Sequence, residues 1–72
     1  MNEKDFLSEL DEILNTEDEL NMDTKLDELE EWDSLSALMF QSFVFKRTKI
    51  APKPTDLKKA RTIRDLYSFF ED

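Results

Sequence analysis

The stretch EWDSLSALMFQSFVFKRTK, residues 31–49, decides how the chain folds. An acidic run turns abruptly into an apolar one, and no Gly or Pro interrupts it as far as Lys49. Asp33 is suited to accept a hydrogen bond from the free backbone N–H groups of a helix start, which places Ser34 in the first turn and predicts a helix over residues 34–49. At helical spacing Leu35, Leu38, Met39 and Phe43 form one stripe, and Ala37, Phe40 and Val44 form another nearly opposite. One face must pack the core. The other is either also covered or left available to a cargo or partner.

Outward from this helix, Phe6, Leu7, Leu10, Ile13 and Leu14 recur at helical spacing after Asn2 and Asp5, an approximate capping box, and predict a first helix over residues 3–15. Residues 16–33 carry only scattered apolar side chains among carboxylates and read as a long loop, with a helical turn near residues 25–30. A connection of that length in a small domain implies function or special packing. Downstream, Pro52 and Pro54 disfavour helix over residues 51–54, a short third helix is expected over 55–59, and TIRD opens a last helix over 62–71 with Ile63, Leu66, Tyr67 and Phe70 on one stripe. The expectation is an all-α single domain over residues 1–72.

Composition agrees with this reading and narrows the function. A chain of 72 residues buries only about 60% of its unfolded surface, so it supports one core of modest stability. The absence of Gly and the two Pro residues leave little for tight hairpins. With no Cys and no His there is no thiolate, disulfide, thiolate or imidazole zinc site, or imidazole base, and an enzyme with its own active site is not expected. No apolar run nears the roughly 20 residues that span a bilayer, and MNEKDF lacks the layout of a signal peptide, so a cytoplasmic protein without membrane insertion is expected. Asp23, Asp27, Glu28, Glu30 and Glu31 do not follow the spacing of an EF-hand loop, whose Gly is also missing, so solvation explains them better than a metal.

The formal charge of −8 is unevenly spread: residues 1–33 hold 14 Asp/Glu against 2 Lys/Arg, and residues 34–72 hold 4 against 8. Such a surface repels a phosphate backbone and suits basic protein partners, not nucleic acid.

Three segments together resemble the acyl carrier protein family of phosphopantetheine-binding domains: TKLDELEEWDSL over residues 24–35, its DSL tripeptide at the start of the second helix, and RTIRDLYSFF over residues 61–70. The resemblance spans nearly the whole chain. It implies a four-helix bundle with a long loop between helices 1 and 2 and a short helix 3. It also implies that Ser34 carries 4′-phosphopantetheine, that Asp33 and Leu35 belong to what a phosphopantetheinyl transferase reads, and that the protein holds an acyl or aminoacyl group as a thioester. A loading ligase and downstream acyl-using enzymes are the implied partners, and a monomer the implied state.

Independently of the family, a serine in the first turn of a helix is exposed, and the positive end of the helix dipole favours a phosphodiester there. A cofactor thiol would also explain how a chain without Cys could make thioesters. The plainer alternative is that Asp33 is a helix cap and Ser34 an ordinary first-turn residue, in a cofactor-free acidic helical module that binds a basic partner. Trp32 has two readings too, as a packing residue that pins the loop or as a contact for the arm or a partner.

The chain departs from the family in its second helix, which holds no carboxylate and ends in Lys46, Arg47 and Lys49, without the Gly common there. Partner recognition would then rest on Asp27, Glu28, Glu30 and Glu31 together with apolar contacts such as Met39, or on a different partner set. These departures suggest a specialised carrier, in an envelope polysaccharide, lipid or secondary-metabolite route.

Overall fold

A computed structural model of the chain describes residues 2–70. Among the described residues there are four α-helices: α1 (Glu3–Leu14), α2 (Ser34–Thr48), α3 (Pro54–Lys59) and α4 (Ile63–Tyr67). Two short 3-10 turns, Leu26–Glu28 and Ser68–Phe70, complete an all-α domain. No helix of the described residues is long and apolar enough to cross a membrane.

The helix ends are set by local chemistry. The side chain of Asn2 accepts from the Asp5 N–H at 2.8 Å, and Asn15 closes α1 in the left-handed region at φ 51°, its N–H donating to the Asp11 carbonyl. Asn tolerates this conformation better than most residues. The second helix ends one residue before the expected Lys49, which itself takes the left-handed conformation at φ 66° and donates its N–H to the Phe45 carbonyl. Thr48 supports this Gly-free ending, its hydroxyl meeting the Val44 carbonyl at 2.9 Å.

The last two helices also differ from expectation. Pro54 does not block the third helix but opens it as its first residue, since its fixed φ suits a first turn and that position needs no N–H donor. The last helix is shorter than residues 62–71. Thr62 is its N-cap, the α-helical part stops at Tyr67, and residues 68–70 tighten into a 3-10 turn as the Ser68 hydroxyl donates to the Asp65 carbonyl. Residue 71 lies outside the described residues.

The core is centred on Phe6, Leu10, Phe40, Val44, Ile63 and Leu66. Phe40 is fully buried, and five rings surround it edge-on or nearly so: Phe6, Trp32, Phe43, Phe69 and Phe70, with centroids 6.0 to 6.3 Å away. Such tilted contacts add to the area that aromatic rings bury.

The connection between α1 and α2 is part of this core. Met22, Leu26 and Leu29 are buried in it. Its backbone pairs with the entrance to α4: Leu26 N–H donates to the Arg61 carbonyl at 2.8 Å, Ile63 N–H to Thr24 at 3.1 Å, and Arg64 N–H to Met22 at 2.8 Å. The first two of these bonds form an isolated antiparallel bridge between Lys25 and Thr62, and the third extends the pairing. The long loop is therefore pinned from Met22 onward, and it delivers the acidic run to the start of α2.

Candidate functional site

The start of α2 is built by Asp33 and Ser36. Asp33 Oδ1 accepts from the Ser36 N–H at 3.0 Å, and Ser36 Oγ accepts in return from the Asp33 N–H at 2.8 Å, a reciprocal box that satisfies two free donors. Ser36 is buried, and its hydroxyl also donates to the Glu31 carbonyl at 2.8 Å. Among the described residues no buried side-chain polar atom lacks a partner. The Ser36 N–H holds the Asp33 carboxyl below its ordinary range against the opposing effect of desolvation. Asp33 therefore stays ionised at the positive end of the helix dipole.

Ser34 is the first residue of α2 and is exposed, as are Asp33 and Leu35 on either side. It opens onto a groove of about 420 Å³ between the first half of α2 and the start of α3. The apolar lining comes from Trp32, Ala37, Leu38, Pro54 and Leu57, while Gln41 and Lys58 add polar atoms. Gln41 Nε2 donates to the Pro52 carbonyl at 2.6 Å and so fixes the segment that leads into α3.

The remaining residues singled out from the sequence fall into two places. Asp27, Glu28 and Glu30 are exposed on the loop before Ser34, and Glu31 is half-buried through its role beside Ser36. Among the described residues no three carboxylates are grouped to hold a metal ion. Met39 lies on α2, in a strip with Leu35, Leu38 and Phe45 whose exposures range from 44% to 66%. Of the two stripes read along this helix, Ala37, Phe40 and Val44 therefore face inward, while Leu35, Leu38 and Met39 face out; Phe43 is drawn partly into the aromatic core. Trp32 is half-buried, packs on Phe40 and lines the groove, so it stands between its two readings.

Sequence reasoning passed over Ser36, Gln41 and Lys58. Ser36 carried one usable signal, its place three residues after the capping Asp33, and Gln41 another, its place two helical turns after Ser34 on the same face of α2; Lys58 is joined to Ser34 only by the packing of α3.

Comparison of the chain with family models, with curated proteins and with solved structures gives no match. The functional reading rests on the residues themselves.

Proposed function

We propose that the protein is a carrier that holds an acyl or aminoacyl group as a thioester on 4′-phosphopantetheine attached to Ser34, and presents it to partner enzymes in a specialised biosynthetic pathway. The observation that carries this reading is the exposed Ser34 hydroxyl at the first position of a 15-residue helix, at the mouth of an amphipathic groove. A four-helix acyl-carrier-like bundle is the architecture that goes with it.

The residues present fit the group. Ser34 Oγ would hold the phosphodiester, where the N-terminus of α2 favours an anion. The groove between α2 and α3 offers apolar lining to the methyl-bearing part of the arm and polar atoms at Gln41 and Lys58 to its amides. When bound, the group supplies the thiol that this Cys-free chain lacks. The chain's own residues do no chemistry: Asp33 and Ser36 hold the helix start rigid, so that Ser34 is presented at a fixed place. Asp27, Glu28, Glu30 and Glu31 mark the entrance with negative charge for basic partners, and the strip with Met39 offers an apolar contact.

Transfer of a fluorescent coenzyme A derivative by a broad-specificity phosphopantetheinyl transferase tests this. The wild type is expected to become labelled and Ser34→Ala to stay unlabelled while keeping its helicity. An unlabelled wild type with several transferases would favour the second reading, a cofactor-free interaction module, for which the exposed strip of Leu35, Leu38, Met39 and Phe45 speaks.

A further inference from the structure

The interior of the domain is close-packed, with the buried rings of Phe6 and Phe40 set among Leu, Ile, Val and Met side chains and flanked by partly buried rings. A long alkyl chain that left the Ser34 groove for the core would have to enter between Trp32, Ala37 and Leu57, which line the groove, and part a core in which Phe40 is fully buried and held by five rings within 6.3 Å. The rings also hold one another, Phe6 with Phe70 at 5.6 Å and Phe43 with Phe70 at 5.2 Å. An interior packed this way yields poorly, because each methylene forced into it drives side chains off their rotamers and shifts backbone. Phe40 is further locked through its own helix, since the Asp33–Ser36 box fixes the start of α2.

Space outside the core is limited as well. The groove at Ser34, about 420 Å³, lies toward the small end of the roughly 300–1,000 Å³ that drug-sized ligands occupy. Its mixed lining of Trp32, Leu57, Gln41 and Lys58 suits an amide-bearing arm more than a bare hydrocarbon.

From this packing we infer that the cargo is a short acyl or aminoacyl group carried outside the helical domain, the groove between α2 and α3 receiving the arm and the aromatic core excluding a long alkyl chain. The inference rests on the carrier reading of Ser34. A short or polar cargo has little to gain from burial and stays open to the partner that consumes it, whereas a long chain left in water would look for apolar surface.

A transferase that accepts acyl-coenzyme A separates the possibilities. Acetyl- and decanoyl-coenzyme A are used as donors, and each loaded protein is exposed to hydroxylamine while the thioester is followed by intact mass. Amide chemical shifts of Phe6, Phe40 and Leu66 are compared with those of the unacylated holo protein. The expected result is cleavage of the acetyl and decanoyl thioesters at the same rate, with the core amides unmoved by either. Several-fold slower cleavage of the decanoyl form, with shifts at Phe6, Phe40 and Leu66, would show the chain inside the core and overturn the inference while leaving the carrier intact. Failure of every donor, and of coenzyme A itself, to modify Ser34 would remove the carrier reading and this inference with it.

Discussion

Ser36 and Asp33 exchange two hydrogen bonds across the first turn of α2, Asp33 Oδ1 receiving the Ser36 N–H at 3.0 Å and Ser36 Oγ receiving the Asp33 N–H at 2.8 Å. The Ser36 hydroxyl donates its own proton to the Glu31 carbonyl, so one small buried side chain joins the acidic loop to the helix. Ser36→Ala leaves the Asp33 N–H and the Glu31 carbonyl without this partner and is expected to destabilise the domain by about 1–3 kcal/mol. Chemical denaturation checks this, and a loss as small as that of an exposed serine would contradict it.

Ser34, two residues earlier, should behave oppositely. It is exposed, and Ser34→Ala is expected to change stability by no more than about 0.5 kcal/mol. Matched thermal melts of the two alanine variants separate the serine that builds the helix start from the serine offered to solvent.

Phe40 is the aromatic hub, and Phe40→Ala is expected to cost about 3–5 kcal/mol. A domain of this size has roughly 4–11 kcal/mol in all, so the variant should lose a large part of its stability and melt far below the wild type. Circular dichroism decides the matter; a cooperative melt close to that of the wild type would contradict the placement of Phe40 at the centre.

The second half of the connection between α1 and α2, from Met22 onward, should be as protected as a helix. Leu26→Ala is expected to cost about 2–5 kcal/mol, because Leu26 is buried although it lies in a loop. Hydrogen exchange gives a second check. The amides of Leu26, Ile63 and Arg64, which bond across the bridge between Lys25 and Thr62, should exchange far more slowly than those of Glu17 and Asp18.

Acid should weaken the helix starts. Asp65 Oδ2 accepts from the backbone N–H groups of Arg61 at 2.8 Å and Thr62 at 3.1 Å, and these hold its carboxyl below the ordinary value of 3.8. A carboxyl lowered in the folded state contributes stability that is fully present above that ordinary value and is lost as pH falls through the folded one. The difference in melting temperature between the wild type and Asp65→Asn is therefore expected to be largest near neutral pH and to close below the ordinary carboxylate range. A difference that widens on acidification would contradict this.

Much of the fold was legible in the sequence because helix ends are local. Asn2, Asp33 and Thr62 are the N-caps, and the residues that satisfy them lie three positions away. The two faces of α2 were also visible as two stripes, although nothing local said which would turn inward. The role of the α1–α2 connection was not legible, since Met22, Leu26 and Leu29 are buried by an irregular backbone that pairs with residues 61–64, a relation between distant segments. The groove at Ser34 was hidden for the same reason: Leu57 and Lys58 reach it only when α3 packs beside α2. Pro54 misled because a residue that breaks a helix interior also begins one well.

The most direct test of the carrier proposal is the intact mass of the protein before and after incubation with coenzyme A and a phosphopantetheinyl transferase, with the modified position located by peptide fragmentation. The account predicts a gain of one phosphopantetheine, placed on Ser34 and absent from Ser34→Ala. No gain with several transferases, or a gain placed on another serine such as Ser8, Ser42 or Ser68, would contradict it.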